Sequence, residues 1–357
     1  MQKDYWLLII NPGSTSTKIA LFHNEKQIFC HVERHSSSEI SSYANIMDQL
    51  PFRKRLIMKT LNDKGFDTGL LSAVIGRGGL LKPLKGGTYK INKSMLEDLY
   101  KAERGQHASN LGGILAYSIA KEENIPSFIV DPPVVDEVDE IAKITGLQEI
   151  EKEIFFHALN QRAIGRRAAM ETGKAYDKAN IIVAHIGGGI SVGVHRKGRV
   201  IDVNNALDGD GPFSPERTGS LPVGSLINMC YSGKYTLQEL KKKIVGKGGI
   251  VSYLGTNDCR KVSDMIDNGD KKAELVYKAM AYQVAKEIGA AAAVLKGDLD
   301  AVAITGGLAY DNQFTGWIKE SVEFLGKVLI YPGEDEMLAL AQGGLRVLRG
   351  EEEALDY

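Results

Sequence analysis

Residues 7–22, LLIINPGSTSTKIALF, begin as an apolar run, break into a turn of Asn, Pro, Gly, Ser and Thr, and return to an alternating pattern. The apolar run is typical of a buried strand, and the alternation after the turn predicts a second strand antiparallel to it. A Gly-Ser-Thr turn directs backbone N–H groups and hydroxyls into one concavity, which suits phosphate oxygens. Lys18 adds a positive charge at its exit. The stretch therefore predicts an anion-binding hairpin.

The pattern outward from this hairpin is repeated later in the chain. A third strand is predicted at residues 26–32, followed by helices and further apolar strands as far as FIVDPP. NIIVAHIGGG, ISVGVHR and RVIDVN then repeat the three-strand start, and helical segments and the strand AVAITGG follow. The sequence thus predicts an α/β fold of two copies of one architecture, each a mixed sheet flanked by helices.

The length of 357 residues exceeds what one hydrophobic core usually organises. We predict an N-terminal domain at 1–145 and a C-terminal domain at 146–337, with a C-terminal helix at 338–357 packing back on the first. A cleft between two such domains is a natural ligand site.

Composition excludes several classes of partner. Lys and Arg total 44 against 45 for Asp and Glu, so the net charge of −1 gives no general reason to bind nucleic acid or an anionic membrane. No apolar run is long enough to span a bilayer, and the first residues lack the pattern of a signal peptide. Three widely spaced cysteines indicate reduced thiols. We expect a cytoplasmic protein.

Two further glycine turns, HIGGGIS and ITGGLAY, follow strands at positions corresponding to the first turn. No Walker A motif occurs, and an alternating strand rather than a helix follows HIGGGIS, which excludes a Rossmann fingerprint. In order, the three turns resemble the phosphate-1, phosphate-2 and adenosine motifs of the actin, sugar kinase and Hsp70 superfamily. The resemblance implies two duplicated RNase H-like (actin-type ATPase) domains. It assigns the following residues to ATP: Asn11, Ser14, Ser16, Lys18, His185, Gly187, Gly188, Gly189, Gly306 and Gly307.

A more specific resemblance covers residues 7–345. Its motifs are INPGSTSTK, VIGRGG, GQHASNLGG, FIVDPP, FFHALNQRA, VAHIGGGISVG, FSPERTGSLP and AITGGLAY. Together they resemble the acetate kinase family, and within it the branch that acts on butyrate or branched-chain acids. The resemblance implies reversible transfer of the ATP γ-phosphoryl group to the carboxylate of a short-chain acid, giving acyl phosphate and ADP, with Mg²⁺. Butyrate is the expected acceptor, with branched-chain acids or acetate as alternatives, and we expect a homo-oligomer.

The family's functional residues match positions of this chain. The resemblance implies catalytic roles for His157, Asp131, Arg77 and Arg217, with both arginines and His107 binding the substrate carboxylate. It places Asp258 and Arg260 beside adenine. The metal ligands would be Asn11 and Glu336, with Asp335 as a rival to Glu336.

Two positions depart from the family pattern. Gly188 stands where acetate kinases carry Asn, which removes a side-chain donor. The residues around Arg77 also differ, which leaves open whether Arg77 aligns with the family's substrate-binding arginine. Gly76, where the acetate kinase pattern has a bulkier residue, suggests room for an acyl chain.

Other roles are open for these residues. His157, beside two phenylalanines, also fits a core histidine, Arg217 a solvated charge and Asp131 a turn cap. Other functions are a nucleotide-gated binding module of the actin or Hsp70 type and a sugar or glycerol kinase. The paired arginines favour a carboxylate acceptor, since a hydroxyl acceptor requires a general base.

Overall fold

The computed structural model describes residues 4–357. Contacts divide the chain into two compact units, one of residues up to Asp136 together with Asp335–Tyr357 and the other of Glu137–Glu334. The domain boundaries given above stay a prediction, and residues 1–3 of the first predicted domain lie outside the described residues. No helix within residues 4–357 combines the length and the apolar character needed to cross a membrane.

Eleven strands and thirteen α-helices are found in residues 4–357. The strands are β1 (Trp6–Gly13), β2 (Ser16–His23), β3 (Lys26–Arg34), β4 (Ala73–Arg77), β5 (Thr88–Lys90), β6 (Ser127–Val130), β7 (Asn180–Ile186), β8 (Ile190–Arg196), β9 (Arg199–Val203), β10 (Ala301–Gly306) and β11 (Val328–Pro332). The helices are α1 (Ser37–Ser41), α2 (Leu50–Asp63), α3 (Lys93–Lys101), α4 (Asn110–Glu122), α5 (Glu140–Lys143), α6 (Ala158–Glu171), α7 (Val223–Cys230), α8 (Leu237–Ile244), α9 (Gly249–Leu254), α10 (Cys259–Asp267), α11 (Lys271–Val294), α12 (Asn312–Val322) and α13 (Glu336–Leu348).

The first sheet has the order β3-β2-β1-β4-β6-β5. Strands β1, β2 and β3 form an antiparallel meander, whereas β1, β4 and β6 run parallel. Residues 7–10 of β1 are fully buried. This explains their continuous apolar run, because a central strand covered on both faces has no polar side.

The second sheet repeats this plan in the order β11-β10-β7-β8-β9. Here β7, β8 and β9 form the meander, and β7, β10 and β11 run parallel. The correspondence of β1, β2, β3, β4 and β6 with β7, β8, β9, β10 and β11 confirms the predicted duplication of a mixed sheet.

Helix α4 packs unusually close to the first sheet. A Cβ atom on Gly76 of β4 would lie 2.1 Å from the carbonyl oxygen of Gly112 in α4, and one on Gly112 would lie 2.3 Å from that of Arg77. The interpretation of Gly76 as room for an acyl chain was therefore wrong. Its missing side chain is required because backbone of α4 already fills the space.

Helix α13 lies on the same sheet through two more glycines. A Cβ on Gly343 would meet Val130 of β6 at 2.5 Å, and one on Gly344 would meet Ile75 of β4 at 2.8 Å. The Thr88 hydroxyl donates to the Gly343 carbonyl at 3.1 Å. Residues 335–357 are thus an integral part of the first unit.

The parallel strands bring predicted site residues to one edge of each sheet. In the first, Ile10 pairs with Gly76 and Arg77 with Val130, so the carboxyl ends of β1, β4 and β6 are aligned. In the second, His185 pairs with Thr305, and Thr305 with Tyr331. Ligands of α/β sheets commonly bind beyond such carboxyl ends.

Candidate active site

The hairpin of β1 and β2 forms as predicted from its sequence. Asn11 pairs with Lys18 and Gly13 with Ser16 across the antiparallel register. Ser14 is exposed, whereas Ser16 and Lys18 are half-buried. The turn therefore presents its hydroxyl-bearing residues at the carboxyl end of β1.

Glu336, the first residue of α13, joins two predicted site residues of the first unit. Its Oε2 accepts a hydrogen bond of 2.6 Å from Asn11 Nδ2, and its Oε1 accepts one from Arg77 Nη1. Asp335 instead caps α13, accepting from the Leu338 N–H at 3.1 Å. Carboxylate and amide oxygens are the ligands that Mg²⁺ prefers, so Glu336 and Asn11 fit this ion by donor chemistry.

Asp131, directly after β6, is buried and has a φ of 39°. A non-glycine residue in this region carries backbone strain, which is concentrated at functional sites. Its Oδ1 accepts from the Gly87 N–H at 2.7 Å, and its own N–H donates to the Gly87 carbonyl at 3.0 Å. These bonds fix the carboxylate at the edge of the sheet.

His107 precedes α4 and is exposed. The Ser109 backbone N–H lies 3.2 Å from His107 Nδ1, and the Ser109 hydroxyl lies 2.7 Å from the same atom. Nδ1 is therefore an acceptor, so Nε2 carries the proton of the neutral ring.

In the second unit, His157 and His185 stack with ring centroids 4.9 Å apart. His157 is the N-cap of α6, and its Nδ1 accepts from the Asn160 N–H at 3.3 Å, which leaves the proton on Nε2. His185 comes from β7 and contacts Asn160 Oδ1 through Nδ1 at 2.8 Å. Residues from a helix and a strand thus form one imidazole pair.

Glu334 links this pair. Its Oε1 lies 3.1 Å from His185 Nε2, and its Oε2 lies 3.6 Å from His157 Nε2. The sequence pattern predicted roles for Asp335 and Glu336 but not for Glu334. Recognition of β11 could have found it, since Glu334 follows that strand just as site residues follow the other strands.

Arg217 lies against the second glycine turn. A Cβ on Gly189 would be 2.0 Å from Arg217 Nη1. The guanidinium can therefore occupy its position only because residue 189 has no side chain. Nη1 donates to the Ala206 carbonyl at 2.8 Å, and Nε is buried without a hydrogen-bond partner in the described chain. Burial lowers the pKa of Arg217, and Glu216 partly opposes that shift. The arrangement leaves donor capacity for an anion.

The third turn begins at Gly306, whose φ of 102° favours glycine. Its N–H donates to the Gly333 carbonyl at 3.2 Å, and the Gly333 N–H donates back at 3.0 Å. A Cβ on Gly306 would lie 2.3 Å from the Ile186 carbonyl oxygen, whereas a Cβ on Gly307 would meet no atom within 4 Å. The turn is therefore held close to the end of β7.

Asp258 and Arg260 form a bidentate ion pair with each other, at 2.9 Å for both bonds. Asp258 also caps α10. Within residues 4–357 their side chains bond to none of the other predicted site residues.

A model of the acetokinase family matches residues 148–330. Butyrate kinase 1 of Clostridium acetobutylicum is 56% identical over 353 residues, which cover 99% of each chain. The chain belongs to the acetokinase family. Another relative, a protein of Clostridium botulinum called a probable butyrate kinase, is likewise 56% identical over 99% of each chain.

A solved acetokinase family structure has the same fold. Porphyromonas gingivalis acetate kinase aligns with a TM-score of 0.78, covering 96% of this chain and all of that one at 21% identity. The similarity confirms the predicted fold of duplicated actin-type ATPase domains. The predicted resemblance to the family is confirmed as well, whereas the roles of the individual residues stay predictions.

Proposed function

We propose that this protein is a butyrate kinase, which transfers the γ-phosphoryl group of ATP reversibly to the carboxylate of butyrate. The observation that carries this proposal is the 56% identity to Butyrate kinase 1 over 99% of both chains. The site supports it, because the arginines and histidines at the ends of the strands suit two anionic reactants.

The reaction needs no base in the protein. A carboxylate oxygen of butyrate attacks the γ-phosphorus and forms the new P–O bond, while the bond to the β,γ-bridging oxygen breaks and ADP leaves with its electron pair. The acceptor carries no proton, so none is transferred. The difficulty is repulsion between anions, and donors around the transferring group supply most of the catalysis.

In the second unit, we assign His157 to donating its Nε2 proton in a hydrogen bond to the transferring phosphoryl group. Arg217 would bind the acid's carboxylate, for which a planar guanidinium is suited. His185 and Gly187–Gly189 would contact the phosphates. Gly306 and Gly307 would contact the adenosine, with Asp258 and Arg260 beside adenine.

In the first unit, we assign Ser14, Ser16 and Lys18 to the phosphates of ATP. Arg77 and His107 would bind the acid, and Asp131 would orient it.

Asn11 and Glu336 would hold Mg²⁺, because they combine the oxygen ligands this ion prefers. When bound, Mg²⁺ neutralises charge on the β- and γ-phosphates.

The test is hydroxamate formation from Mg-ATP, hydroxylamine and an acid, followed by kcat/KM for formate, acetate, propionate, butyrate, isobutyrate and valerate. Each methylene removed from water contributes about 0.8 kcal/mol, so butyrate should exceed acetate by about 15-fold. A maximum at acetate would contradict the proposed acceptor. ATP hydrolysis unaffected by any acid would contradict the kinase assignment and favour a nucleotide-gated module.

We also infer that the protein is a homo-oligomer, as expected from the sequence. Helix α7 supports this inference, since it has no buried residue although it is mainly apolar. Val223 is 67% exposed and Ile227 is 51% exposed. An exposed apolar helix is typical of a subunit contact. Sedimentation of wild type and Ile227→Glu should show an oligomer and a smaller species respectively, and a monomeric wild type would contradict it.

A further inference from the structure

Arg53 lies beneath the first glycine-serine turn and is completely buried. It belongs to α2, and its guanidinium donates to two carbonyls of the turn, that of Ser16 at 2.8 Å and that of Ser14 at 3.3 Å. It also donates to the Thr17 hydroxyl at 2.9 Å, and to Gln49 Oε1 at 3.0 Å from Nε and 2.8 Å from Nη2. Most of its donor capacity is thus directed at the turn and its support.

Every acceptor of Arg53 in the described chain is electrically neutral. No carboxylate forms an ion pair with it there, although buried charges are normally paired. Burial lowers the pKa of Arg53 to about 10, so the group stays charged at neutral pH.

The neighbouring His35 does not neutralise this charge. It is buried and contacts the Thr17 hydroxyl through Nε2 at 2.8 Å. Burial and, secondarily, the charge of Arg53 lower its pKa, which favours the neutral ring. Glu33 and Glu39 partly oppose the shift of the His35 pKa, but in the described chain neither forms an ion pair with Arg53. The turn therefore has a positive charge behind it without an ion-pair partner.

We propose that Arg53 is a positioning residue of the phosphate turn. It holds the carbonyls of Ser14 and Ser16 toward the protein interior and places a positive charge, which has no ion-pair partner, behind the bound phosphate anion. A guanidinium that only fastened the turn would gain from a carboxylate partner at Gln49. A neutral amide there preserves the charge for the ligand. The proposal rests on the assignment of this turn to ATP phosphates.

Gln49→Glu is the decisive variant, because it keeps the shape and the acceptor oxygen while placing a carboxylate against Arg53. We expect Tm to stay the same or rise, since the buried charge gains a partner. KM for ATP and Kd for ADP should both rise about tenfold as the field at the turn is cancelled, an effect of the size expected for nearby charges. KM for butyrate should change less than twofold.

Arg55→Gln is the matched control. Arg55 is exposed on the same helix, and its substitution changes the net charge by the same −1. It should leave all three constants within about twofold.

Arg53→Lys provides an independent second test, because it keeps the charge but loses the planar fork. We expect a lower Tm, with KM for ATP raised less than in Gln49→Glu. An equal or larger rise would show that the hydrogen bonds alone matter and would overturn the electrostatic role. An unchanged KM for ATP in Gln49→Glu would overturn it too.

The two proposals fail in different ways. If wild type forms no butyryl hydroxamate and binds no ADP, the proposed function is wrong. If wild type is active and Gln49→Glu retains its nucleotide constants, only the role of Arg53 is wrong.

Discussion

The Glu334 carboxylate lies 3.1 Å from Nε2 of His185, and its other oxygen lies 3.6 Å from Nε2 of His157. One acidic group thus orients both members of a stacked histidine pair. The 3.1 Å contact is a hydrogen bond that fixes the His185 ring, whereas the 3.6 Å contact with His157 is electrostatic.

Glu334→Gln should lower kcat because His185 loses its charged hydrogen-bond acceptor and His157 loses the negative charge 3.6 Å from its Nε2. A lost hydrogen bond to a charged group costs about 1.5 to 3 kcal/mol, so we expect kcat to fall about 10- to 100-fold with KM for butyrate changed less than threefold. Steady-state kinetics measures this. Glu323→Gln, at an exposed position of the same unit, is the control, and equal kcat in both variants would contradict the role.

Arg217→Leu should lower kcat/KM by removing one partner of a desolvated charge pair. The expected cost is about 2 to 5 kcal/mol, a loss of about 30-fold or more. Arg217→Lys should restore only part, because lysine lacks the planar fork. Circular dichroism checks that the variants are folded. Near-normal kcat/KM in a folded leucine variant would contradict the role of Arg217 in the active site.

Gly189→Ala should displace Arg217 without unfolding the protein, because the new methyl would meet the flexible end of that side chain at 2.0 Å. We expect a loss of kcat/KM of about tenfold or more. Gly289→Ala, in the same unit, is the control, since its methyl would meet nothing within 4 Å. Equal activity of the two variants would show that the position of Arg217 does not depend on this glycine.

Gly76→Ala should destabilise the first unit rather than alter the choice of acid. Its methyl would lie 2.1 Å from the Gly112 carbonyl oxygen, and backbone cannot move aside as a side chain can. We expect a cost of at least about 3 kcal/mol. Urea unfolding measures it, with Gly316→Ala as a control that meets nothing within 4 Å. A stable variant with a changed butyrate-to-acetate ratio would restore the interpretation of Gly76 as part of the acyl pocket.

His195 should make stability fall at mildly acidic pH. It is fully buried in β8, between the Tyr176 hydroxyl at 2.7 Å and Gln161 Oε1 at 3.1 Å. Burial, with smaller effects of Arg162 and Arg166, lowers its pKa to about 3. As pH falls, the unfolded chain therefore takes up a proton at His195 before the folded chain does. The contribution of His195 to the free energy of unfolding is complete above about pH 6.5 and is lost at about 1.4 kcal/mol per pH unit as pH falls toward 3.

Urea unfolding at pH 7, 6 and 5 tests this. We expect His195→Gln to reduce the dependence of the free energy of unfolding on pH by about 1.4 kcal/mol per unit. In wild type, the His195 ring resonances should not titrate between pH 7.5 and 5. A midpoint within that range would contradict the prediction.

The local pattern predicted the elements that carry the fold. Alternation and apolar runs located β1, β2 and β3 and their repeats, because side chains in these strands face either a core or a surface. The turn residues 13–17 and 187–189 were found in the same way, since glycine and hydroxyl residues indicate turns directly.

The supporting residues could not be predicted in this way. Arg53 sits in a helix where arginine is normally solvated, and only tertiary packing places it under the turn. Glu334 follows β11, a short strand that the pattern did not reveal. The role of Gly76 depends on a helix more than 30 positions away along the chain, and no local signal encodes such an approach.

Residues 335–357 belong to the first unit, where Gly343 and Gly344 of α13 pack against Val130 and Ile75 of its sheet. The second unit, in contrast, is one uninterrupted segment, Glu137–Glu334. During synthesis on the ribosome, the second unit can therefore acquire its whole core while the first still lacks a helix. The half that is made first is therefore the last to be finished, and until α13 emerges the apolar surface of its sheet that this helix covers stays exposed on the nascent chain.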